Sequence, residues 1–103
     1  MKIELSLLEE AIVAIFKEMK VQGMDNIDLD ADFYWNVPSE SIYDIYNEPT
    51  QLDIGQLEAD YEMLCKAKEN ELLIKYNLKN ISAILRYLSE KHAIWSDLMI
   101  LKV

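Results

Sequence analysis

The sequence predicts a small, mainly α, single-domain fold with about three principal helices and a long acidic loop region, and leaves room for a minor two-stranded β element. Three observations carry that expectation. The length, 103 residues, suits one domain, 1–103. Apolar residues make up 51% of the chain, enough for a core and against disorder despite the charge. Three stretches repeat apolar residues at helical spacing, and residues 25–49, which hold Pro38 and Pro49, do not.

The first helix is expected over residues 6–21. Leu5, Leu8, Ile12, Ile15, Phe16 and Met19 fall on one helical face, with Glu10 and Lys17 opposite. Ser6 and Glu9 have capping-box spacing, each able to satisfy an orphan N–H of the first turn. Gly23 is the expected stop. A short helical turn is expected after Ser39, carrying Ile42, Tyr43, Ile45 and Tyr46 within an otherwise loop-like stretch. Asp53 and Gln56 read as the cap of a second helix, whose apolar face is Ile54, Leu57, Tyr61, Leu64 and Cys65. A third helix is expected over 77–92. Leu78, Ile81, Ile84, Leu85 and Leu88 line one side, and Lys79, Arg86 and Glu90 the other. Leu72 to Ile74 either begin it early or form a short extended piece. The C-terminal residues allow two readings: a prolonged third helix, or a strand over Leu98–Val103 pairing with Lys2–Leu5.

The charge is lopsided. The net charge is −9, yet no Lys or Arg occurs from Val21 to Cys65, where eleven acids stand: Asp25, Asp28, Asp30, Asp32, Glu40, Asp44, Glu48, Asp53, Glu58, Asp60 and Glu62. Self-repulsion opposes compaction, so such a block calls for an explanation. The same stretch holds Phe33, Tyr34, Trp35, Tyr43, Tyr46 and Tyr61. Acids without aromatics read as solvating tails, whereas acids interleaved with Tyr and Trp read as a folded contact surface. Phe33 and Trp35 are expected in the core, as large rings in small domains commonly are. Tyr43 and Tyr46 are equally suited to core and surface.

Composition also excludes. Nucleic-acid binding draws on Lys and Arg to neutralise phosphates, and anionic membranes likewise attract bases, so both run against this charge. No apolar run is long enough for a membrane span, and no signal peptide is recognisable. A single Cys forms no internal disulfide, and a cytoplasmic location is expected.

Candidate chemistry is sparse. Asp28, Asp30 and Asp32 match the first three ligand positions of a calcium loop. The required Gly is Phe33, the closing Glu position is Ser39, and Glu40 comes one residue late, so the three are read as an acidic, partner-facing edge. His92 is expected near the C-terminal end of the third helix as a structural cap. Cys65 reads as a small hydrophobe. One His and one Cys make a zinc site or a nucleophile pair improbable, and two glycines are too few for a phosphate cradle. No enzyme, cofactor or metal is expected.

The run Asp32-Phe33-Tyr34-Trp35-Asn36-Val37-Pro38, the pair Glu48-Pro49, the run Leu52-Asp53-Ile54-Gly55-Gln56-Leu57 followed by Asp60, and Ser82-Ala83-Ile84-Leu85-Arg86 resemble a recurrent pattern in small, acidic, uncharacterised bacterial proteins. That family carries no catalytic assignment. In size and acidity the chain also resembles, by type, the immunity proteins of bacterial toxin–immunity systems, including contact-dependent growth inhibition. The resemblance implies a binding protein that neutralises a basic partner, such as a nuclease toxin domain. The residues expected to meet it are Asp28, Asp30, Asp32, Asp44, Glu48, Glu58 and Glu62, with Tyr43 and Tyr46 as anchors. A homo-oligomeric scaffold whose acids only maintain solubility is the alternative.

Overall fold

The computed structural model describes residues 1–67 and 74–101, with side-chain burial for all of these except 67 and 92–101. The element order is α1 (Leu5–Val21), β1 (Phe33–Asn36), α2 (Ser39–Ile42), β2 (Asp53–Gln56), α3 (Leu57–Ala67) and α4 (Ile74–Leu101). The fold is mainly α with one small antiparallel sheet. The chain divides into two compact units, Met1–Asp30 and Ala31–Val103.

The first unit is α1 and its exit. The helix starts one residue before the expected position, with Glu4 in extended backbone as its N-cap and no side chain capping it. Ser6 therefore lies inside the first turn, and the expected capping box does not form. Leu8 N–H instead reaches the Glu4 carbonyl at 3.3 Å, which carries the helical ladder past Ser6. The far end follows expectation. Gly23 N–H donates to the Lys20 carbonyl at 3.0 Å and Met24 N–H to the Met19 carbonyl at 2.9 Å. These two bonds are a Schellman closure, which needs a left-handed residue between them. Gly23 supplies it at φ 87°. Met24 is buried. A Cβ at Gly23 would meet nothing within 4 Å, so any cost of substitution is conformational alone. Gly23→Ala is expected to lower stability by about 1 kcal/mol and Gly23→Asn by less, as read from urea unfolding midpoints, because Asn tolerates the left-handed region.

In the second unit β1 pairs antiparallel with β2, opposing Phe33 to Gln56, Tyr34 to Gly55, Trp35 to Ile54 and Asn36 to Asp53. The sheet thus uses other segments than the termini. The alternative strand over Leu98–Val103 does not form within the described residues, because α4 runs on to Leu101, the prolonged-helix reading. Lys102 and Val103 lie outside the described residues, as do Leu72 and Leu73. Asp53 does not cap a helix. It opens β2, and α3 begins four residues later at Leu57. The turn after Ser39 forms as α2 but ends at Ile42, so Tyr43, Ile45 and Tyr46 follow it in turns. His92, expected at a helix end, lies in the body of α4.

α3 and α4 pack on each other. Leu64 on α3 and Ile81, Ile84, Leu85 and Leu88 on α4 are half-buried, the stripe that the spacing predicts. Leu78 is exposed, and so is Cys65, which is not a core residue. Lys79 Nζ donates to Ser39 Oγ at 3.0 Å and ties α4 to α2. Among the described residues no helix is long and apolar enough to cross a membrane.

Candidate functional site

The geometry around the β1–β2 pair is a brace between sheet and helix. Asp32, immediately before β1, meets the junction of β2 and α3 in three ways. Its carbonyl accepts Leu57 N–H at 2.7 Å. Its Oδ1 accepts Glu58 N–H at 3.1 Å, and its Oδ2 accepts the Gln56 side-chain amide at 2.8 Å. A helix leaves its first N–H groups without intrahelical acceptors, and a side-chain oxygen from the N-cap residue commonly fills that need. Here the cap comes from the residue before a distant strand. The carboxylate also sits where the helix dipole favours negative charge, together with Glu58 and Asp60 of the same turn.

Tyr34 makes the second tie. Its ring crosses Gly55, its partner on β2, and its hydroxyl donates to Asp60 Oδ2 at 2.6 Å. A Cβ at Gly55 would run into the ring and the hydroxyl. Burial, then the hydrogen bond to Asp60 and that carboxylate's charge, push the Tyr34 phenol up from 10.0 to about 12. The folded state thus holds the phenol proton more tightly than the unfolded chain. Its contribution to stability is complete below pH 10 and is lost as the pH rises toward 12. Tyr34→Phe is expected to lower stability at neutral pH and to remove that alkaline loss, as measured by urea midpoints across this range. Leu57, packed at the junction of β2 and α3, is buried.

The sequence-predicted site residues divide between the units. Asp28 and Asp30 belong to the first unit. Asp32 is half-buried; one of its carboxylate oxygens serves Glu58 of α3 and the other Gln56 at the end of β2. Tyr43, Asp44, Tyr46 and Glu48 follow one another on the exposed run between α2 and β2. That run is pinned by Asp44 N–H donating to the Ser41 carbonyl at 3.1 Å and by the Asn47 amide donating to Asp44 Oδ2 at 3.1 Å. Tyr43 is 88% exposed and Tyr46 91%. Glu58 and Glu62 stand one turn apart on α3, both exposed. Among the described residues no lysine or arginine forms an ion pair with Asp44, Glu48, Glu58 or Glu62; Arg86 instead lies 3.4 Å from Glu90. Among the described residues no group of three His, Cys, Asp or Glu side chains could hold a metal.

Two aromatics stand elsewhere than expected. Phe33 is 66% exposed and Trp35 71%, and neither is a core residue. The physical reason is the pleat. Alternate strand residues face opposite ways, so when Tyr34 turns to α3 its neighbours turn outward. The aromatic run Phe33-Tyr34-Trp35 carried the signal for this, since it has strand propensity and a single strand cannot bury three consecutive rings on one side.

No family model, curated protein or solved structure matches the chain.

Proposed function

We propose that the chain is a non-enzymatic acidic binding protein, an immunity or inhibitor protein that neutralises a basic protein partner such as a nuclease toxin domain. The observation that carries the reading is the 45-residue base-free stretch, Val21–Cys65, whose exposed acids include Asp44, Glu48, Glu58 and Glu62 of the second unit. The exposed rings Tyr43 and Tyr46 lie beside Asp44 and Glu48 on the same run. Carboxylates that no lysine or arginine pairs among the described residues keep their field for a partner, and complementary charge accelerates encounter and suppresses wrong partners. Aromatic rings then supply contact area at low entropy cost.

The experiment is co-expression with the product of the adjacent gene, followed by association kinetics of the purified pair. The variant Asp44→Asn, Glu48→Gln, Glu58→Gln, Glu62→Gln is expected to slow association by about tenfold or more at low salt. Asp32 and Asp60 are left intact, because they hold the brace and their loss would confound binding with folding. Association unchanged by the four substitutions, or no complex at all, would overturn the reading.

A further inference from the structure

The two faces of the β1–β2 pair differ. Directly opposed residues in an antiparallel pair share a face, and successive residues alternate. Tyr34 with Gly55, and Asn36 with Asp53, therefore share the face that turns toward α3 through the Tyr34–Asp60 bond. Phe33 with Gln56, and Trp35 with Ile54, share the other. On that second face Trp35 stands directly across from Ile54, which is 66% exposed, with Phe33 two residues along the strand. Three large apolar side chains thus form one adjacent group that the fold leaves uncovered.

We infer that the Phe33, Trp35 and Ile54 face is the docking floor for an arginine-bearing surface of a partner protein, with a guanidinium stacked on the Trp35 ring. The inference rests on the reading of the chain as a binder of basic proteins and names where and how that partner is held. Charge decides the occupant. Both strands and the run that joins them lie inside the stretch that contains no Lys or Arg, so the segment itself carries only negative charge toward an incoming cation, and the one described ammonium bonded to it is Lys79 at Ser39. A second copy would bring a further charge of −9 to the same place, with the same base-free segment opposed to itself. Chemistry then selects arginine. A planar, weakly hydrated guanidinium stacks on an indole face while its edge still donates to carboxylates, whereas an ammonium keeps its water. Rigidity supports the assignment. The brace from Asp32 and Tyr34 to α3 holds the sheet in place before any partner arrives, which lowers the ordering cost of binding.

The test uses the full chain, calorimetry, and short synthetic peptides alternating leucine with arginine, with lysine or with glutamate. The arginine peptide is expected to bind saturably, the lysine peptide more weakly and the glutamate peptide not at all. Phe33→Ser, Trp35→Ser and Ile54→Ser are each expected to weaken the arginine peptide by about tenfold with unchanged far-UV dichroism. Trp35→Phe, which keeps a ring in the strand, is expected to lose less and serves if the serine variant unfolds. No binding by the arginine peptide overturns the inference. So does binding that survives the three sheet substitutions but is lost in the four-acid variant; in that outcome the acidic reading stands and the docking floor falls. Sedimentation showing a dimer that Phe33→Ser dissociates assigns the face to a second copy and also overturns it.

Discussion

Gly55→Val is expected to lower stability by about 2–3 kcal/mol, a large loss for an exposed two-stranded sheet. The loss does not come from backbone strain, because Gly23 is the only glycine with positive φ. It comes from contact. The Tyr34 ring occupies the space where a side chain at residue 55 would project. Any Cβ pushes the ring aside, and the hydroxyl then leaves Asp60, an acceptor it now reaches at 2.6 Å. Hydrogen bonds to charged groups contribute about 1.5–3 kcal/mol, the upper part of that range belonging to drier sites than this one. The contact origin makes a sharp double-mutant prediction. In a Tyr34→Ala background the space opens, and Gly55→Ala is expected to cost nothing or to stabilise, since glycine is itself a poor strand residue. Urea unfolding of the four proteins of the cycle measures the coupling. Equal costs for Gly55→Ala in both backgrounds would show that the ring does not impose the glycine.

The two glycines illustrate what a chain discloses before it is folded. Gly23 ends a strongly periodic helix, and its role is local: the left-handed turn follows from the last apolar residue of α1 and the chain reversal after it. Gly55 is local only in appearance. Asp53-Ile54-Gly55-Gln56 has the spacing of a helix cap, with a carboxylate first and an amide three residues later. That reading loses because Phe33–Asn36 claims the segment as a strand partner and Asp32 supplies the cap from 26 residues away. Local pattern does not encode which of two competing partners wins, so the class of fold was legible while the placement of the sheet was not. The same holds for Phe33 and Trp35, whose size suggests a core and whose alternation with Tyr34 puts them outside. For α4 the periodic stripe Ile81, Ile84, Leu85 and Leu88 was sufficient to predict a helix; of the two readings of the C-terminal residues the prolonged helix holds as far as Leu101, and Leu78, expected on the stripe, is exposed. Asp32, Tyr34, Gly55, Gln56 and Asp60 all take part in the brace. These residues join the sheet to α3, and they are distinct from the exposed acids Asp44, Glu48, Glu58 and Glu62 that the binding reading uses.

Asp32→Ala is expected to cost about 1–2 kcal/mol, comparable with the loss of a good helix cap. Two acceptors vanish together. The Glu58 N–H loses its partner, and the Gln56 amide loses the oxygen that fixes it across the strand end. The negative charge at the α3 N-terminus goes as well, which removes a dipole interaction of about 0.3–1 kcal/mol at an exposed site. Asp32→Asn separates these contributions. Its amide keeps one oxygen for Glu58 N–H, and Gln56 can turn its own oxygen toward the new NH2 group, so only the charge is lost. The expected order of stability is wild type, then Asn, then Ala. Amide hydrogen exchange localises the effect and carries its own control. Glu58 N–H bonds the Asp32 side chain, whereas Leu57 N–H bonds the Asp32 backbone carbonyl, which no substitution removes. In Asp32→Ala the Glu58 amide is expected to exchange faster while Leu57 is affected less. Equal acceleration at both would mean that the sheet had parted from α3 altogether, so that Asp32 holds two elements together and does more than complete a helix end. Either result separates the folding role of this carboxylate from recognition, because a binding loss in Asp32→Ala that tracks its unfolding midpoint is a loss of the platform, and one that persists in a fully folded Asp32→Asn protein is a loss of charge.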